Sequence, residues 1–137
     1  RDIDYFKQYN DRYGHQAGDD CVRAIAALIR QMESDQIFCA RYGGDEFVII
    51  YSGMSAEEVC ERAEKLRQDV MALQIEQRYA EGSFGVTISQ GICHDIPSNG
   101  NKNWDFLHVA DQALYRVKRR GRNRLCMTDI HGREIEV

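Results

Sequence analysis

Apolar positions along the chain change period several times, and each change predicts an element. Val22, Ile25, Ala26 and Ile29 recur at helical spacing, which predicts a helix to about Met32 with Asp19 or Asp20 as its N-cap. Ile37 to Tyr42 and Glu46 to Tyr51 read as strands joined by a glycine turn. Ser55-Ala56-Glu57-Glu58 is a capping box that opens a second helix, with Val59, Ala63, Leu66, Val70 and Leu73 on its apolar face. Gln74 to Tyr79 and Phe84 to Cys93 form a further hairpin, in which Val86, Ile88 and Ile92 alternate with Thr87, Ser89 and Gly91. Ile96 to Asn103 is a loop, and Trp104 to Arg119 a third helix along Leu107, Ala110, Leu114 and Val117, stopped by Gly121. Asn123 to Thr128 is a closing strand, and 129–137 a loose C-terminal tail. At the other end, Tyr5 to Gly18 reads as a helical turn and loop. Arg1 to Asp4 reads as the tail of a strand whose body lies upstream, as in a domain cut from a longer protein.

With that strand restored, the order is strand-helix-strand-strand-helix-strand, with an added hairpin and a C-terminal helix. It predicts one α/β (α+β) domain over 1–128, a sandwich with a largely antiparallel sheet. At 137 residues, 43% apolar and 29% charged, the chain suits a globular domain with its own core. No apolar run approaches the roughly 20 residues that span a bilayer, and no signal peptide opens the chain. Five scattered cysteines without a CxxC pair read as buried free thiols, which favours the cytoplasm. A net charge of −4 argues against a dedicated nucleic-acid binder, although Arg116, Lys118, Arg119, Arg120, Arg122 and Arg124 crowd one segment and offer a local anion site.

The candidate chemistry centres on Arg41-Tyr42-Gly43-Gly44-Asp45-Glu46-Phe47. Glycines supply the positive φ of a tight turn, and the adjacent carboxylates can hold a hard cation. Asp45 and Glu46 are neighbours in an extended segment, so one should face the site and the other support it. Asp2 and Asp4 share a strand face, with Ile3 turned to the core. Asp2 is the candidate metal ligand with Asp45, and Asp4 reads as a cap for the following turn. Asn10, His15 and Asp19 lie in a polar stretch where an amide and a carboxylate could read the edge of guanine; an Asn turn and an Asp cap are the plainer alternatives. Lys118 and Arg122 could clamp phosphates, or simply complement a helix dipole.

Taken in order, Asp2-Ile3-Asp4-Tyr5-Phe6-Lys7, Asn10-Asp11, Gly14-His15, Gly18-Asp19, the Arg41–Phe47 signature, Thr87-Ile88-Ser89 with Gly91, and Ala110-Asp111-Gln112-Ala113-Leu114-Tyr115 through Lys118 and Gly121-Arg122-Asn123 resemble the GGDEF domain of diguanylate cyclases. The resemblance spans nearly the whole chain. It implies a ferredoxin-like, palm-type fold and the Mg²⁺-dependent condensation of two GTP into cyclic di-GMP with loss of two pyrophosphates. It also implies a working homodimer whose subunits each hold one GTP.

Carried over by position, the resemblance implies that Asp2, Asp45 and the Ile3 carbonyl hold Mg²⁺ (two ions per site, with Mn²⁺ as the alternative). Asp45 and Glu46 are the implied catalytic pair, with Asp45 the acceptor for the ribose 3′-hydroxyl proton. Asn10 and Asp19 would read guanine with His15 nearby. The amides of Tyr5 and Phe6, with Lys7, Lys118 and Arg122, would hold phosphates. Gly43 and Gly44 would leave room for the nucleotide. Product-inhibited members carry Arg-x-x-Asp before the signature; here Ser34 and Ile37 stand at those positions, so that inhibitory site is expected to be lost. Expected partners are GTP, a second copy of the chain and an upstream sensory or regulatory domain, with no nucleic acid and no membrane contact by this domain. A membrane-anchored parent protein is compatible with this picture. A silent GTP-binding regulatory module is the alternative function.

Overall fold

The computed structural model describes residues 2–77, 85–98, 100 and 103–137. The elements are β1 (Asp2–Ile3), α1 (Phe6–Tyr13), α2 (His15–Arg30), β2 (Ile37–Gly43), β3 (Glu46–Tyr51), α3 (Ala56–Ala72), β4 (Ile88–Cys93), α4 (Asn103–Arg119) and β5 (Leu125–Thr128). They build a five-stranded sheet in the order β2-β3-β1-β4-β5, antiparallel except where β4 and β5 run parallel across the α4 crossover. The short β1 is central: Asp2 pairs with Glu46 on one side and with Ser89 on the other. This is the predicted mixed α/β architecture with a mostly antiparallel sheet.

Burial of the periodic faces holds the layers together. Val22, Ile25 and Ile29 of α2 and Leu66 and Val70 of α3 pack with Ile3, Phe47 and Ile88 in the main core. The capping box of α3 is present: Glu58 N donates to Ser55 Oγ (3.1 Å) and Ser55 N donates to Glu58 Oε1 (3.3 Å). Leu73, expected on the buried face, instead closes the helix C-terminus and is 37% exposed. α4 meets β4 at Gly91, where an added Cβ would lie 2.2 Å from Leu114 N and 2.3 Å from Ala110 O. Only a residue without a side chain permits that approach.

Several expectations around the candidate site are corrected. Tyr5 to Gly18 is two helices rather than a turn and loop, broken at Gly14 (φ 89°). Consequently α2 starts at His15, and neither Asp19 nor Asp20 caps it. Asp4 does not cap the following turn, because the N-cap position, Tyr5, has no side-chain cap bond and Asp4 is engaged across the sheet. Asp45 belongs to the turn rather than to a strand, so strict alternation begins only at Glu46.

The tip of the second expected hairpin lies outside the described residues, as do 99 and 101–102 in the expected loop. Its base is paired, with Val86 N donating to Ile75 O (2.9 Å) and Gly85 N to Gln77 O (3.0 Å). The strand expected from Asn123 starts at Leu125, since Asn123 is left-handed (φ 47°). Residues 129–137 are not loose: Ile135 N donates to Met127 O (2.8 Å), and Glu134 pairs with Arg116 and Arg120. Ser34 and Ile37 exchange two backbone hydrogen bonds (3.1 and 3.2 Å) in a tight turn before β2. No helix among the described residues is long and apolar enough to cross a membrane.

Candidate active site

The pairing of β1 with β3 brings the first residues of the chain to the glycine turn. Asp2 is buried opposite Glu46, one residue from Asp45. Burial pushes the Asp45 carboxyl above the usual carboxylate range, and the negative charge of Asp2 adds to this while the Lys118 ammonium works against it. The two carboxylates and the ammonium therefore share one electrostatic neighbourhood. Lys118 Nζ donates to Asp2 Oδ2. The other oxygen, Asp2 Oδ1, is buried without a hydrogen-bond partner. An orphaned carboxylate oxygen beside a second carboxylate is a donor set that suits a hard divalent ion, which takes one or two carboxylates with substrate oxygens. No group of three or more His, Cys, Asp or Glu side chains that could hold a metal occurs among the described residues, so the remaining ligands would have to be backbone, water or substrate. Glu46 is exposed at the start of β3.

The turn itself is latched by Arg41, whose Nε and Nη2 both donate to Gly44 O (2.9 and 2.6 Å). Gly44 takes a positive φ of 46°. A Cβ at Gly43 or Gly44 would meet nothing within 4 Å, so the space over the turn is open.

Beside the carboxylates, Asp4 organises the second half of the site. It is 2% exposed and accepts from Thr87 Oγ1 (2.6 Å), Ser89 Oγ (2.5 Å) and Asn123 N (3.0 Å). Three donors satisfy a buried charge that would otherwise be costly. The Asn123 N donor also ties the turn after α4, which carries Arg122, to the residue following β1. Arg122 lies over the Tyr5 ring at 4.5 Å. Phe6 is partly buried and stacks on Tyr9, while Lys7 is exposed.

Asn10 sits apart from the carboxylates, facing α2. A Cβ at Gly18 would lie 1.7 Å from Asn10 Oδ1, so the amide occupies the place a side chain would take. That Oδ1 is buried and unpartnered. His15 and Asp19 are exposed on the first turns of α2, with Asp19 directly after Gly18. The structure thus joins Asp2, Asp45 and Lys118, joins Tyr5 to Arg122, and places Asn10 beside the residue preceding Asp19.

Sequence reasoning missed Thr87, Ser89 and Asn123 as supports for Asp4. Polar residues two apart on a central strand were the available signal. The basic segment does not form one cationic patch: Arg116 and Arg120 pair with Glu134, Lys118 with Asp2, and Arg124 Nε bonds Arg122 O (2.9 Å).

Sheet order, a buried Asp2 within the field of half-buried Asp45, and an open glycine turn define a palm-type mixed α/β domain. The chain belongs to the diguanylate cyclase GGDEF domain family, whose profile matches residues 1–124. A diguanylate cyclase of Vibrio cholerae serotype O1 (strain O395) is 37% identical over 137 residues, covering 92% of this chain and 38% of the relative. Diguanylate cyclase A of Treponema denticola is 36% identical over 128 residues, covering 93% of this chain and 33% of the relative. The chain spans about a third of the length of such curated relatives. Among solved structures, the GGDEF domain of DgcB from Caulobacter crescentus in complex with c-di-GMP superposes with a TM-score of 0.81 at 36% identity, covering 95% of this chain and 74% of that one. The active GGEEF domain of a Vibrio cholerae diguanylate cyclase gives 0.77 at 33% identity, covering 92% and 78%.

Proposed function

We propose that this chain is a diguanylate cyclase catalytic domain that condenses two GTP into cyclic di-GMP and two pyrophosphates as a homodimer in the cytoplasm. The observation that carries the reading is the buried Asp2, with one oxygen orphaned and the other paired to Lys118, inside the field of Asp45. In each half-reaction a ribose 3′-oxygen bonds to the α-phosphorus of the other nucleotide, the bond to pyrophosphate breaks, and the 3′-hydroxyl proton leaves. Because each nucleotide is both attacker and target, two half-sites must face one another antiparallel.

Asp2, Asp45 and the Ile3 carbonyl would hold Mg²⁺, which when bound supplies charge neutralisation and acidifies a hydroxyl. Asp45 accepts the 3′-proton, and exposed Glu46 supports the turn. Lys118, Arg122, Lys7 and the amides of Tyr5 and Phe6 answer the negative charge that builds on the leaving pyrophosphate. Asn10 and Asp19 read guanine, with His15 beside them, and Gly43 and Gly44 leave the nucleotide room. Pyrophosphate release from GTP with Mg²⁺, and the mass of the nucleotide product, test the whole reading. GTP binding without release would indicate a silent regulatory module instead.

Two results follow. Asp19→Ala is expected to lower the preference for GTP over ATP by roughly 10- to 100-fold, since a carboxylate accepting from guanine N1–H and the exocyclic amine has no equivalent partner on adenine. An unchanged ratio of kcat/KM for the two nucleotides would remove Asp19 from base reading. Because Ser34 and Ile37 replace the Arg and Asp of the inhibitory motif, micromolar cyclic di-GMP should leave the initial rate unaltered. Rate suppression that is non-competitive with GTP would overturn that expectation.

A further inference from the structure

We propose that the Tyr5 side chain is a positioning residue for Arg122, holding its guanidinium flat so that the N–H edges face nucleotide phosphate. This rests on the nucleotide reading above, which uses Tyr5 only through its backbone amide.

The described non-glycine residues with positive φ are Tyr5 (54°), Gln74 (52°), Arg122 (64°) and Asn123 (47°). Three of these four meet at one place, although they come from opposite ends of the chain. Each left-handed residue carries a backbone cost and persists only where its surroundings over-determine it. Here they do. Tyr5 O accepts from Tyr9 N (2.9 Å) and Gln77 Nε2 (3.4 Å). Arg122 N donates to Val117 O (3.0 Å), and Arg122 O accepts from Arg124 Nε (2.9 Å). Asn123 N donates to the buried Asp4 carboxylate (3.0 Å). Asn123 Oδ1 accepts from Arg67 Nη1 (3.1 Å), and Arg67 is itself held by Glu64 on α3.

Both backbones are therefore fixed before any ligand arrives, and the side chains they aim meet one another. The Arg122 guanidinium carbon lies 4.5 Å from the Tyr5 ring centroid. Its Nη1 makes only a long contact to Tyr5 Oη (3.4 Å), so the ring face carries the interaction. A guanidinium stacked by its face keeps its planar fork of donors for oxygens. An unsupported arginine would lose rotamer freedom on binding, which the stack removes in advance. Tyr5 is 38% exposed, so replacing it does not open the core.

The test is a double-mutant cycle read by calorimetric GTP binding and by steady-state pyrophosphate release. Tyr5→Leu is expected to weaken GTP binding and raise KM by about 5- to 10-fold, with kcat within about twofold. Tyr5→Phe keeps the ring at the same backbone cost and should restore most of the affinity. In an Arg122→Ala background, Tyr5→Leu should add no further loss. Multiplicative losses in the double variant, a phenylalanine variant as weak as leucine, or tighter binding by Tyr5→Leu would each overturn the proposal while the wild-type chain still binds GTP. A wild-type chain that binds no GTP would overturn the nucleotide reading and this inference together.

Discussion

Asp45→Ala is expected to cut cyclic di-GMP formation by roughly 10³-fold or more while the variant stays folded, because it removes both a carboxylate in the electrostatic neighbourhood of Asp2 and the proposed proton acceptor. Product mass after incubation with GTP and Mg²⁺ measures the first part, and a cooperative melt the second. A normal product yield would end the assignment. Stability should move the opposite way from activity. Burial, reinforced by the charge of Asp2, makes the folded state bind the Asp45 proton more tightly than the unfolded chain does. Folding stability therefore falls as pH rises from the ordinary carboxyl value of 3.8 through the raised folded value. With chelator present at neutral pH, Asp45→Asn should melt a few degrees above the parent. That advantage should vanish below about pH 4, where the unfolded carboxyl is protonated too. A variant that melts lower at neutral pH would make Asp45 a structural carboxylate.

Gly91→Ala is expected to destabilise the domain by about 2–3 kcal/mol in chemical denaturation, because the new methyl must displace the α4 backbone rather than a flexible side chain. Lys118 lies on that helix, so the displaced ion pair with Asp2 should weaken GTP binding as well. Gly43→Ala provides the contrast. Its Cβ meets nothing within 4 Å, and its φ lies outside the left-handed region. Its stability should stay within about 0.5 kcal/mol of the parent, while GTP affinity falls if the open space over the turn belongs to the nucleotide. Equal stability of the two variants would show that α4 can rise from β4 at little cost.

Periodicity was enough to place α3, β3 and the buried stripe of α2, since a face that must leave water repeats at the pitch of its own element; on α4 only Val117 of the expected face is buried, with Ala113 beside it, while Leu107, Ala110 and Leu114 are half-buried. The capping box was legible for a related reason: its partners are three residues apart and need no tertiary context. Local reasoning failed where a long-range partner outbid a local one. Asp4 sits where a cap would stand, yet Thr87, Ser89 and Asn123 satisfy its charge across the sheet. Asp19 looks like an N-cap, but Gly14 had already broken the chain and let the helix begin at His15.

The candidate site divides along the same line. Its vocabulary of paired glycines, carboxylates and late cations could be read from the order of residues, because each type has only a few chemical uses at such spacings. Its grammar came from folding. Asp2 and Lys118 are 116 residues apart and meet only because β1 lies centrally in the sheet. The stack of Arg122 on Tyr5 depends on left-handed backbone at both residues, sustained by hydrogen bonds from Arg122 N to Val117 O, from Gln77 Nε2 to Tyr5 O and from neighbouring Asn123 N to Asp4. Contacts of that separation carry no local signature, since their energy is released only when the intervening chain has already packed.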